Sequence, residues 1–230
     1  MRRLSQFVFA AALALALPLA GHEGAAEAQQ AQAAPAAQTA ALVTKVQNFY
    51  DKTTSFSSGF TQEYFVKSHN LKKESKGDVV FSKPGKMDWQ YANPAGNRVV
   101  SDGQILKVYE AANKQMFEQQ VNASQYPAAL SFLIGGGSLS SVFDFQSYPG
   151  ASMNFPGGDV LVGTPKTPTP AYTKVLFYVD TATSQVRRVL IVDGQGNRNR
   201  FDFENPKVNV PVNPNQFQFT PPAGTQIIRP

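Results

Sequence analysis

Asn97-Arg98-Val99-Val100-Ser101-Asp102-Gly103-Gln104-Ile105-Leu106-Lys107-Val108-Tyr109 is the stretch that decides the fold class. Asp-Gly between two alternating apolar runs is a strong short-range hairpin signal, because both residues tolerate the positive φ of a tight turn. The pattern predicts strands over 97–101 and 104–109, with Val99 facing Leu106 and Val100 facing Ile105. Both faces of that hairpin are then partly apolar. Upstream, the two-residue period predicts strands over 77–82 and 86–91, and a half-buried strand from Phe56 carrying Phe60, Tyr64 and Val66 on one parity. Downstream, 174–180 pairs with 186–193 across 181–185, and a second Asp-Gly turn at Asp193-Gly194 leads into 198–204. A last strand is expected to carry Phe217 and Phe219. Connections this short make an antiparallel meander the economical topology.

Two segments depart from the strand period. Leu42, Val43, Val46, Phe49 and Tyr50 recur at three- and four-residue intervals, which predicts a helix with Thr39 as its N-cap. Residues 124–147 lack strand patterning: Ala128, Ala129, Leu130, Phe132, Leu133 and Ile134 follow Pro127, which suits a helix's first turn. Gly135-Gly136-Gly137 ends that run, and Ser138 is placed to cap a second short helix through Val142 and Phe143. Two short apolar helices joined by glycines read as a hinged flap. A Pro- and Thr-rich loop is expected over 164–173.

The N-terminal residues read as an export signal: Arg2 and Arg3, an apolar run from Phe7 to Leu19, and Ala26-Glu27-Ala28 as the cleavage pattern. The expected organisation is a signal peptide over 1–28, a flexible Ala/Gln-rich leader over 29–38 and a single domain over 39–230. The leader has no apolar periodicity with which to bury a core. The chain has no cysteine, so neither a disulfide nor the acylated cysteine of a bacterial lipoprotein is available to it. No second apolar run approaches the roughly 20 residues of a membrane span.

Composition points away from most chemistry. Past the signal the only histidine is His69, in a polar turn, so a serine nucleophile has a single base to recruit. Metal sites built from His and Cys fail by count, and Ile134-Gly135-Gly136-Gly137-Ser138 lacks the Gly-Lys-Ser/Thr of a phosphate loop. Asp102 and Asp193 sit in turns, where side-chain turn chemistry accounts for them. The net charge of +5 is scattered, its tightest cluster being Arg187, Arg188, Arg198 and Arg200, and reads as a solvated strand face rather than a nucleic-acid groove. No catalytic residue, metal or cofactor is expected. With 17 Phe and 8 Tyr, binding is the better heading.

Gly77-Asp78-Val79-Val80-Phe81-Ser82-Lys83-Pro84, Met87-Asp88-Trp89, Pro94, Val100-Ser101-Asp102-Gly103 and Val108-Tyr109 together resemble the LolA family of periplasmic lipoprotein carriers. Ser55-Phe56 and Phe60-Thr61-Gln62 upstream fit the same pattern, as do Asp193-Gly194 and Phe217-Gln218-Phe219-Thr220-Pro221-Pro222-Ala223-Gly224 downstream. The resemblance implies a mainly β (α+β) fold, an incomplete antiparallel β-barrel whose apolar cavity is covered by short α-helices. It implies a carrier for the acyl chains of lipoproteins, loaded by an ATP-driven lipoprotein-releasing complex of the inner membrane and unloaded at an outer-membrane acceptor. Such a protein works in the periplasm as a monomer, without enzymatic activity, cofactor or nucleic acid.

Strand parity and the resemblance together nominate Phe60, Tyr64, Phe81, Met87, Trp89 and Tyr91 as the cavity wall, with Leu130, Leu133 and Ile134 covering it from the lid. Lys83 stands where the family has an arginine that latches the lid; lysine keeps the charge and loses the planar five-donor fork. Met87 could equally be ordinary core, and Lys83 an ordinary strand-end lysine. Two other readings compete: a glycolipid-binding or envelope-sensing protein of the same fold, and an exported hydrolase using carboxylates.

Overall fold

The computed structural model describes residues 32–121 and 137–229, which lie within one unit, Ala31–Pro230. The chain order is α1 (Ala36–Asp51), β1 (Ser55–Val66), β2 (Leu71–Ser82), β3 (Lys86–Asn93), β4 (Arg98–Asp102), β5 (Ile105–Glu110) and β6 (Gln115–Gln120). After residues 122–136, it resumes with α2 (Leu139–Val142), β7 (Phe143–Pro149), β8 (Gly158–Pro165), β9 (Lys174–Asp180), β10 (Val186–Val192), β11 (Arg198–Val208) and β12 (Gln226–Ile228). These strands form one open sheet of 12, ordered β12-β6-β5-β4-β3-β2-β1-β11-β10-β9-β8-β7. It is two antiparallel meanders joined along β1 and β11, with β12 added parallel to β6. Among the described residues no helix is long and apolar enough to cross a membrane.

Alternation gives the sheet an inner and an outer face. On the inner face Phe56 and Phe60 of β1, Val79 and Phe81 of β2, Met87 and Trp89 of β3, and Phe201 and Phe203 of β11 are buried in one cluster. α1 covers that face through Val43, Val46 and Tyr50, the helical spacing seen in the sequence. Its polar groups fasten it at four places. Thr39 Oγ1 and Ser147 Oγ are 2.8 Å apart, and Thr39 Oγ1 accepts from the Ser147 amide. Gln47 Oε1 accepts from the Leu139 amide at 2.7 Å. The Tyr50 hydroxyl accepts from the Val186 amide at 3.0 Å, and the Tyr50 carbonyl accepts from Lys83 Nζ.

Over β3, β4 and β5 the outer face is covered by the C-terminal segment. Arg98 Nη2 donates to the Gln216 carbonyl and Lys107 Nζ to the Phe219 carbonyl, while the Phe219 ring stacks with Tyr109 and under the Arg98 guanidinium. Beneath it Asp88, wholly buried, is paired with Arg98 Nε at 2.7 Å.

Several sequence expectations are corrected. Thr39 does not cap α1: the helix begins three residues earlier, after Pro35, and the Thr39 hydroxyl is used against β7. The first Asp-Gly hairpin forms, but it pairs Ser101 with Leu106 and Val99 with Val108. Asp102 Oδ1 accepts from the amides of Gln104 and Ile105, which moves the turn one residue along. Each partner slips by two residues, so every side chain keeps its face. Phe143 opens strand β7 rather than ending a helix, because β8 supplies a ladder. Phe217 and Phe219 do not form a strand: Asn213 and Pro214 start a 3-10 turn through Phe217, and the final strand is β12.

Replacing Arg98 by Leu strands the Asp88 carboxylate in the interior, and urea denaturation should register a loss of about 3–5 kcal/mol. The double replacement Asp88→Leu/Arg98→Leu should lose less than that single one. Tyr50→Phe should cost about 1–3 kcal/mol by orphaning the buried Val186 amide. Desolvation raises the Tyr50 hydroxyl above the ordinary tyrosine range, opposed by the Val186 amide and the Arg187 charge. The unfolded chain ionises this group near pH ~10, so its contribution is full below that pH and is lost as pH rises further. Alkaline denaturation of Tyr50→Phe should lack that component.

Candidate lipid-binding face

Phe60 and Trp89 form the centre of the inner face, their ring centroids 4.8 Å apart and nearly perpendicular. Phe81 meets Trp89 edge-on at 5.7 Å, and Phe201 and Phe203 lie at 5.3 and 6.4 Å from it. Phe60 also meets Tyr91 at 5.1 Å, although β2 runs between their strands. The residue between them is Gly77, paired with both, where a Cβ would stand 1.9 Å from the Gln90 carbonyl oxygen. The two rings meet over a position with no side chain. Each such ring pair adds about 0.5–1.5 kcal/mol beyond area burial.

Of the residues nominated from sequence, Phe60, Phe81, Met87 and Trp89 are all buried and packed together, and Tyr91 packs against them part-buried. Tyr64 shares their strand parity, yet it is 37% exposed and lies outside the cluster, beside Asn199 and Lys73. Leu130, Leu133 and Ile134 lie outside the described residues. Lys83 is committed to α1: its ammonium donates to the Tyr50 carbonyl at the helix's negative end. Burial holds that ammonium below the ordinary lysine range, against the opposing pull of the Asp51 carboxylate.

Sequence reasoning missed the far half of the site. Phe143 and Phe145 on β7 and Phe177 on β9 form a second aromatic group, with centroids 5.7 to 6.0 Å apart. The alternation Phe143, Phe145, Ser147 was the available signal. A groove of about 400 Å3 opens between α1 and β7, lined by Ala40, Val43, Gln47, Phe143 and Phe145. Val43 and Phe143 belong to the inner core, so the groove runs down to it.

Reactive groups do not converge here. Ser68 Oγ stands 2.8 Å from His69 Nδ1, but the two are chain neighbours in an exposed 3-10 turn. Among the described residues no three His, Cys, Asp or Glu side chains are grouped to hold a metal ion. On this wall Trp89 Nε1 is buried and, among the described residues, has no hydrogen-bond partner.

An open sheet with an aromatic inner face, a helix strapped across it and a groove reaching its core defines a binding protein for apolar ligands. The sequence signature described as outer membrane lipoprotein carrier protein LolA matches residues 51–220. The chain belongs to the LolA family. It is similar to the outer-membrane lipoprotein carrier protein of Alkalilimnicola ehrlichii, 28% identical over 84% of this chain and 86% of that one. It is also similar to that of Bordetella avium, 26% identical over 98% and 97% of the two chains. Among solved structures, an uncharacterized conserved protein from Thermus thermophilus shares the fold with a TM-score of 0.51 at 12% identity, covering 84% of this chain and 99% of that one.

Trp89 is the one tryptophan of the chain and is 0% exposed. Its emission should be blue-shifted and almost unresponsive to acrylamide in the ligand-free protein, and should become quenchable on unfolding.

Proposed function

We propose that this protein is a periplasmic carrier that holds the acyl chains of lipoproteins against its inner face and moves them from the inner to the outer membrane. The observation that carries the reading is the continuous aromatic inner face of an open sheet, in a chain of the lipoprotein-carrier family. Each methylene kept from water is worth about 0.8 kcal/mol, so a long acyl chain needs more than about 10 kcal/mol of cover to cross an aqueous space. Phenylalanine rings and Met87 supply such cover without fixed polar contacts, and methionine adapts to irregular apolar shapes.

The cargo is an acylated protein; the donor is an ATP-driven releasing complex in the inner membrane and the recipient an outer-membrane acceptor. The protein acts as a monomer and catalyses no reaction. The groove between α1 and β7 is the entry, since it joins solvent to the core. Lys83 and Tyr50 hold the C-terminal end of α1.

A fluorescent fatty-acid probe should bind the mature protein saturably and be displaced by a diacylated lipopeptide. Trp89→Glu, which puts an unpaired carboxylate into the wall, should weaken probe binding at least about tenfold. Phe145→Glu, at the groove, should slow uptake. A natively folded protein that shows no saturable binding would refute the carrier reading.

A further inference from the structure

Other polar side chains of the inner face have partners. Ser58 Oγ donates to the Glu204 carbonyl at 2.8 Å, and Tyr91 donates its hydroxyl to Gln62 Oε1 at 3.1 Å. Ser101 Oγ donates to the Gly85 carbonyl at 3.3 Å and accepts from the Gly103 amide at 3.1 Å. Trp89 Nε1 differs from these: its residue is 0% exposed and, among the described residues, the nitrogen has no partner. Its cross-strand neighbours are Val79 and Val99, and the rings around it are Phe60, Phe81, Phe201 and Phe203. None of those side chains carries an acceptor. Buried donors are nearly always satisfied, and an orphan one costs free energy that a phenylalanine here would not.

We propose that the indole N–H of Trp89 is the donor to an ester carbonyl oxygen of an acyl chain held against the inner face. The inference rests on the carrier reading and specifies which atom of the ligand the site recognises. An acyl ester suits the donor because its carbonyl is an acceptor and the ester itself brings no donor into an apolar wall. Its alkyl portion packs on the same phenylalanines that leave Nε1 unserved. The bond forms only in the loaded state, so the empty protein carries the orphan donor and the loaded one does not. An ether-linked chain of equal length makes the same apolar contacts and leaves Nε1 as it was. The site therefore selects for the ester.

Because the chain has one tryptophan, biosynthetic replacement by β-(3-benzothienyl)alanine puts sulfur in place of N–H at position 89 alone. Trp89→Phe serves as a second N–H-free form. Four ligands compete against a fluorescent fatty-acid probe: a dipalmitoyl S-glycerylcysteine peptide, its dihexadecyl ether counterpart, dipalmitoylglycerol and dihexadecylglycerol. The unsubstituted protein should bind the diester peptide about three- to tenfold more tightly than the diether, as one neutral hydrogen bond allows. In the N–H-free proteins that ratio should fall to about one, with diether affinity unchanged in the benzothienyl form. Ester preference confined to the peptides assigns the bond to acylated proteins, and preference in both series extends it to free lipids; both support the inference. A ratio that stays the same without the N–H overturns it while leaving the carrier reading intact. If the unsubstituted protein binds none of the four, the carrier reading fails and the inference with it.

Discussion

Tyr50 bonds through its hydroxyl to the amide of Val186 on β10 and through its carbonyl to Lys83 at the end of β2. One residue of α1 is thereby tied to both halves of a sheet whose outermost strands, β7 and β12, lie at opposite ends of the strand order. The inner face is too apolar to stand open in water, and the sheet does not close on itself to hide it. A helix bonded at Thr39, Gln47 and Tyr50 to three different elements performs that closure. With the Tyr50 ring buried, these bonds form in a low-dielectric setting, where a made bond is strong and a broken one costly. The covering of the core and the shape of its entrance follow from where α1 is pinned.

The Tyr50 end of α1 is held by a buried hydroxyl and a lysine, and the buried pair of Thr39 and Ser147 holds its other end to β7, beside the groove that opens between the two elements. On the proposed entry route an apolar ligand meets Phe143 and Phe145 first, and Val43 and Phe177 lie in the same cluster. Aromatic rings without polar partners can slide and reorient against a flexible chain at little cost, which suits the proposed carrier, since a carrier must also release its load. The exception is Trp89, whose unpaired donor gives a greasy wall one point of chemical discrimination.

Much of the fold was legible in the chain. Alternation in β1, β3 and β11 needs no partner to be recognised, since one face of each is apolar and the other polar. Phe60, Phe81, Met87 and Trp89 fall on one face by parity alone, and they pack together. Less legible were β6, β7 and β8. Phe143 and Phe145 follow directly on a four-residue helix, and only the ladder with β8 makes that segment a strand. Tyr64 has the parity of the wall, but β1 runs on past the covered part of the face and leaves it in solvent. Parity tells which face a residue occupies and says nothing of how far the cover extends.

Local patterning by itself determined the mainly β class, the α1 helix, the hairpin turns and an aromatic face too rich for a plain surface, because those properties live in neighbouring residues. Tertiary structure alone decided the order of the sheet, the parallel addition of β12, the use of Phe217 and Phe219 as outer-face cover and the fastening of α1. Each of those rests on residues far apart in sequence, such as Phe56 with Val208, Tyr50 with Val186 and Arg98 with Gln216. Whether such groups meet depends on the closure of intervening loops and the burial it allows. No local period records that.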